Sequence, residues 1–111
     1  MTQTQDLVDR IDAGLRARAR PERAAGEKAY LKSSLDHYGT SMPAIRAAVL
    51  EVIKPLDLNH DDVIALVEQL WAAPIHERRQ AAVEVLEARV GDLGSEDIVL
   101  LERLLRESRT W

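Results

Sequence analysis

Apolar side chains recur every three to four positions along nearly the whole chain, and the recurrence breaks at a small set of proline, glycine and capping residues. Leu7, Val8, Ile11 and Leu15 form one stripe over roughly residues 4–20, with Asp6/Arg10 and Asp12/Arg16 as i,i+4 pairs on the outside and Pro21 as the stop. A second helical segment over about residues 22–38 carries Tyr30, Leu31 and Leu35 and ends at Gly39, the residue expected where a helix closes in the left-handed conformation. The third starts from Ser41 as N-cap with Pro43 in its first turn, faces inward through Ile45, Val49, Val52 and Ile53, and breaks at Pro55. The fourth has Asn59 as N-cap and Asp61 and Asp62 at the positive end of its dipole, and repeats Val63, Leu66, Val67, Leu70 and Trp71 at helical spacing. The fifth opens with Pro74 and closes at Gly91, with Ala82, Val85, Leu86 and Val90 as core candidates. The sixth runs from the cap Ser95 through Ile98, Leu101, Leu104 and Leu105.

No segment alternates with period two, and no Gly-rich or low-complexity stretch divides the chain, so the expectation is a single all-α domain over residues 1–111. Six helices joined by short connections imply antiparallel neighbours stacked as three hairpins. The pattern fits a bundle, and it fits equally a HEAT-like α-solenoid, in which successive helix pairs bury their faces against one another.

Composition narrows the class. A hydrophobic content of 46% in 111 residues supports one core, and the near absence of aromatic residues, with no Phe, leaves Leu, Val, Ile and Ala to build it. There is no Cys, which excludes disulfides and thiolate zinc sites. The N-terminal stretch is too polar for a signal peptide and no apolar run is long enough to span a bilayer, so the expected setting is the cytoplasm, with no membrane partner. A formal charge of −4 opposes a grip on phosphates by bulk electrostatics, although a basic groove on one face is compatible with an acidic exterior.

Self-contained chemistry is hard to find. His76-Glu77 resembles the start of a helical zinc motif, but position 80 is Gln rather than the second His, and His37 and His60 fall near helix ends as ordinary polar residues, so no metal is expected. No phosphate-cradling loop implies a nucleotide cofactor, and Ser33, Ser34 and Ser41 lack the setting of a nucleophile elbow, so no cofactor is expected either. Arg16, Arg18 and Arg20 are spread around their helix by i,i+2 spacing, which reads as a solvated face. Trp71 ends an apolar stripe and reads as a core anchor, whereas Trp111 is the last residue and has little to pack on.

An ordered set of short motifs changes this picture. Tyr30-Leu31-Lys32 is followed by Gly39 to Arg46 (GTSMPAIR), then by Leu70-Trp71 with Pro74 to Arg79 (PIHERR), and later by Leu101-Glu102 and Thr110-Trp111. In order and spacing these resemble the DNA alkylation-repair enzymes built from HEAT-like repeats, over about residues 25–111. The resemblance implies a curved solenoid whose concave face tracks double-stranded DNA and excises N3- or N7-alkylated purines without flipping the damaged base out of the stack. It also implies roles for particular residues. Tyr30 matches a tyrosine near the lesion, the alternative being a tyrosine packed within its helix pair with the hydroxyl outward, and Lys32 lies within reach of the DNA backbone. Arg46 either touches phosphate or braces the turn before it, and Glu77 and Arg78 hold repeats together by an ion pair or a capping interaction. Trp111 falls where the family carries an active-site tryptophan, and the essential aspartate is expected a few residues later, past the end of this chain. The resulting expectations are the N-terminal part of a longer glycosylase, inactive by itself and prone to self-association through a face that further repeats would cover. The alternative is a non-catalytic HEAT-like protein-interaction module.

Overall fold

The computed structural model describes residues 3–108. Among them are six α-helices: α1 (Gln3–Ala17), α2 (Pro21–Leu31), α3 (Met42–Ile53), α4 (His60–Ala72), α5 (His76–Ala88) and α6 (Ile98–Glu107), the last preceded by two single 3-10 turns, Val90–Asp92 and Ser95–Asp97. The local reasons for several boundaries are the expected ones. Ser41 Oγ accepts from the Ala44 amide at 3.3 Å at the start of α3. Asn59 and Asp62 form a reciprocal capping box at the start of α4, each side chain accepting from the other's backbone N–H at 2.9 and 3.2 Å.

The core is one cluster made by the stripes of α1, α3, α4 and α5, with Leu58 from the loop before α4 and Leu104 from α6. Ile11, Leu15, Val49, Val63, Leu66, Val67, Leu70 and Val85 have no measurable solvent contact, and each such side chain contributes on the order of 1.5–3 kcal/mol by burial. The helices stack as pairs, which fits a helical-repeat solenoid: α4 folds back on α5, α1 packs on α3, and the two pairs meet through α1 against α4 and α3 against α5. The pairing differs from the three expected hairpins of successive helices: α1–α2, α3–α4 and α5–α6 do not form the main contacts, and of the neighbours in sequence only α4 and α5 pack closely on each other. α1 takes α3 rather than α2 as its partner, because α2 has no apolar stripe; only Ala24, Glu27 and Leu31 line a half-buried face, and none of its side chains is fully buried.

Two helix ends and the burial of α6 differ from expectation. α2 ends at Leu31 rather than near Tyr38: Lys32 adopts the left-handed conformation (φ 51°), and its N–H and that of Ser33 close on the carbonyls of Ala29 and Lys28. Ser33 then turns the chain by accepting from the Leu35 amide at 3.0 Å. Gly39 is left-handed as expected (φ 84°), but it serves the loop after α2, where an added Cβ would lie 2.0 Å from the Arg20 carbonyl oxygen. α5 stops at Ala88, and Val90, expected in the core, is exposed on the following 3-10 turn. α6 has the anticipated amphipathic pattern, yet only Leu104 is fully buried, while Ile98 and Leu105 are turned to solvent. No helix among the described residues is long and apolar enough to cross a membrane.

Candidate functional site

The polar groups of the molecule converge on the ten-residue loop between α2 and α3. This loop has no regular structure of its own, so each of its backbone groups must be satisfied from elsewhere. Asp36 forms a one-residue parallel bridge to Ile75: its N–H donates to Pro74 O at 2.9 Å and its carbonyl accepts from His76 N–H at 2.8 Å. Immediately after the bridge, Glu77 enters from the first turn of α5 with no solvent exposure. Its Oε1 accepts from the Tyr38 amide at 2.8 Å, and its Oε2 accepts from Gly39 and Thr40 at 3.0 and 3.3 Å. The Thr40 hydroxyl donates to Leu15 O at 2.8 Å, which satisfies a carbonyl at the C-terminal end of α1.

Asp12 organises the neighbouring surface. Its Oδ1 accepts from the Tyr38 hydroxyl and from Arg78 Nε at 2.9 Å, and its Oδ2 accepts from Arg16 Nε at 2.8 Å. The Arg16 guanidinium also lies over the Tyr38 ring, 4.8 Å from its centre. Burial alone would raise the Asp12 carboxyl, but hydrogen bonds from Arg78, Tyr38 and Arg16 outweigh it and bring the group down to about 2. The same cluster pushes the Tyr38 phenol up, through burial and through its bond to the Asp12 carboxylate. Beside it, the His37 and His76 rings stack at 4.5 Å with an 11° tilt, and Glu27 on α2 faces His37 Nδ1 at 3.0 Å. Burial lowers the basicity of His76, which favours its neutral form.

The residues assigned to a DNA or lesion contact are placed as follows. Tyr30 is 87% exposed at the end of α2, so the alternative in which it packs within a helix pair is not realised. Lys32 is exposed two residues on, at the left-handed cap. Arg46 lies in the first turns of α3, where Nε donates to Glu84 Oε1 of α5 at 3.1 Å while the side chain stays more than half exposed; bracing and phosphate contact are both geometrically open to it. Among the described residues no contact joins Arg46 to Tyr30 or Lys32, and Trp111 lies outside the described residues. The Arg16–Arg20 cluster is dispersed as expected: Arg16 is tied to Asp12, Arg18 bonds Gly14 O and Glu51, and Arg20 is exposed before α2.

Glu77 and Arg78 do what was anticipated of them, the first by capping backbone amides and the second by an ion pair. Their partners, Tyr38 to Thr40 and Asp12, lie 37 to 39 and 66 residues away. One local signal for Glu77 existed: it lies at i, i+4 and i+8 with the buried Ala81 and Val85, on the core side of α5. His37 and His76 carried no such signal, and instead of facing solvent both rings are enclosed against each other. His60 pairs with Asp97 through Nε2 at 2.9 Å, which ties the start of α4 to the turn before α6 and raises its basicity, chiefly through that hydrogen bond.

Compared with known proteins, the chain matches the family of DNA alkylation repair enzymes over residues 11–111. No curated protein and no solved structure matches it.

Proposed function

Because the chain belongs to the DNA alkylation repair enzyme family, we propose that it forms the DNA-positioning part of a glycosylase that removes N3- or N7-alkylated purines from duplex DNA. The observation that carries this reading is the family match across residues 11–111. The structure supports a positioning role in particular. The carboxylates that α1 and α5 bring to the α2–α3 loop, Asp12 and Glu77, are committed to internal hydrogen bonds. The exposed groups at its edge include an aromatic ring, Tyr30, and a cation, Lys32, with the Asp36 carboxylate, held toward Lys28, farther along the loop. In this reading the Tyr30 ring faces the damaged pair, and Lys32 and Arg46 contact phosphates on either side. An alkylpurine carrying positive charge is already a good leaving group. Aromatic faces and a carboxylate then need only stabilise the charge developing on base and sugar, and no deep pocket or flipped base is required. The HEAT-like repeat supplies the rigid, curved support for that contact.

The test uses the protein as isolated from its source cells, incubated with methylated and untreated duplex DNA. Release of N3- and N7-methylpurines, and a preference for the methylated duplex that drops several-fold in Tyr30→Ala, are the expected results. Absence of base release together with equal binding of both duplexes would overturn the proposal. A non-catalytic helical interaction module is the second reading, favoured by the net charge of −4 and by exposed Ile98, Val99 and Leu105 on α6, which offer an apolar contact surface and a route to self-association. It predicts no measurable DNA binding and a mass in sedimentation that rises with concentration.

A further inference from the structure

Beside the Asp12 cluster lies a second set of groups that the DNA-positioning reading does not use. Glu27 on α2, His37 in the following loop, and His76 and Glu77 at the start of α5 each place one ligand-capable atom within 4.8 Å of the others. We propose that these residues form a binding site for a divalent transition metal, with His37, His76 and Glu77 as ligands and Glu27 orienting His37.

The argument starts from the tautomer of His37. Its Nδ1 faces a carboxylate oxygen of Glu27 at 3.0 Å; because a carboxylate can only accept, Nδ1 is the donor, and in the uncharged tautomer Nε2 is the nitrogen that carries the lone pair. The side chain is only 1% exposed, and Nε2 has no hydrogen-bond partner among the described residues. A buried lone pair without a donor is a cost to the fold that a bound cation removes. A histidine whose other ring nitrogen donates to a carboxylate is also the arrangement that orients metal-bound imidazoles and raises their basicity.

The remaining ligands fit the same chemistry. His76 lies stacked on His37 at 4.5 Å, so its ring nitrogens sit beside the His37 ring in the same enclosed space. Glu77 is fixed in position by three backbone amides, and Oε1, which accepts only from Tyr38, keeps a lone pair free. Two imidazoles and a carboxylate suit Zn²⁺, Co²⁺ or Ni²⁺, whereas Mg²⁺ and Ca²⁺ prefer all-oxygen sets. The stacked rings must tilt from their 11° arrangement on binding, because an imidazole lone pair lies in the ring plane. The other acidic group of this kind, His60 with Glu96 and Asp97, is more open and has no orphaned nitrogen, so it serves as the internal control.

The experiment titrates the full chain with Co²⁺ and then Zn²⁺. Expected are one equivalent of Co²⁺ with visible ligand-field absorption, its displacement by Zn²⁺, and Zn²⁺-induced NMR shifts of the His37 and His76 ring protons but not those of His60. His37→Ala abolishes the absorption, Glu27→Gln weakens binding by about 10–100-fold, and His60→Ala leaves it unchanged. Should His37→Ala fail to fold, the ring-proton shifts of the unmodified chain decide alone. Absence of ligand-field bands, shifts confined to His60, or binding that survives in folded His37→Ala overturns the site. None of these readouts involves DNA, so failure here leaves the repair reading intact.

Discussion

Glu77 illustrates at the residue scale how one polar side chain can organise a loop that has no regular structure. Its carboxylate is fully enclosed and accepts from three successive backbone amides. Glu77→Ala strands those three donors in the interior and is expected to destabilise the fold by about 3–5 kcal/mol in urea denaturation. Glu77→Gln keeps the shape and one accepting oxygen and should cost about 1–3 kcal/mol; equal losses for the two variants would show that neither suffices and that the site requires both oxygens of the carboxylate. Asp12 gives a pH signature of a different kind. Its carboxyl is held at about 2 in the fold against 3.8 for the free side chain, so its contribution is complete above pH 4 and is lost as pH falls from about 4 to about 2. Screening by nearby solvent reduces the ideal value to about 1–2 kcal/mol. Thermal melts of the unmodified chain and Asp12→Asn across that range should converge at the acid end; a constant gap between them would remove Asp12 as the cause.

At the scale of elements, α2 is the weakly anchored member of the stack. It buries no side chain completely, and it ends in a lysine at a position that favours glycine. That strain falls on the residue proposed to meet a phosphate, so under the proposal stability and DNA contact pull in opposite directions there. Lys32→Gly is expected to stabilise the chain by about 0.5–1 kcal/mol while removing one phosphate contact, which reduces the salt dependence of DNA binding by about one unit of slope. A variant that gains stability and binds DNA unchanged would take Lys32 out of the interface. α6 presents the converse case. Trp71 Nε1 donates to Glu107 at 2.6 Å and Arg103 meets Glu68 at 3.3 Å, so polar contacts hold a helix whose apolar side is only partly covered.

For the whole molecule, the decisive quantity is how many cations remain available. Arg16, Arg18, Arg23, Lys28, Arg46, Arg78, Arg89 and Arg103 all face carboxylates, whereas among the described residues Arg10, Arg20, Lys32, Lys54, Arg79 and Arg106 are in no ion pair. If only Arg20, Lys32 and the half-exposed Arg46 engage phosphates, log K for duplex DNA should fall against log salt with a slope of about −2 to −3. Anisotropy titrations at several salt concentrations measure this. A slope steeper than about −6 would mean that binding also strips arginines from their carboxylate partners.

Helix count, the stripes of α1, α3 and α4, the Ser41 and Asn59 caps and the family resemblance were all set by the amino-acid sequence, because each depends on neighbours within a turn or two or on short ordered motifs. The early end of α2 was not legible. Nothing local marks a lysine as the left-handed residue, and Gly39, the better local candidate, was required instead where the loop passes the Arg20 carbonyl. Nor could periodicity say that Val90, Ile98 and Leu105 face solvent, since it orients a face but does not supply a partner to cover it. The joining of Asp12 to Tyr38 and Arg78, of Glu77 to the 38–40 backbone, and of His37 to His76 was decided only by tertiary structure. Those groups lie 26 to 66 residues apart in the chain, and which ones meet depends on how α1, α2 and α5 converge on a single loop.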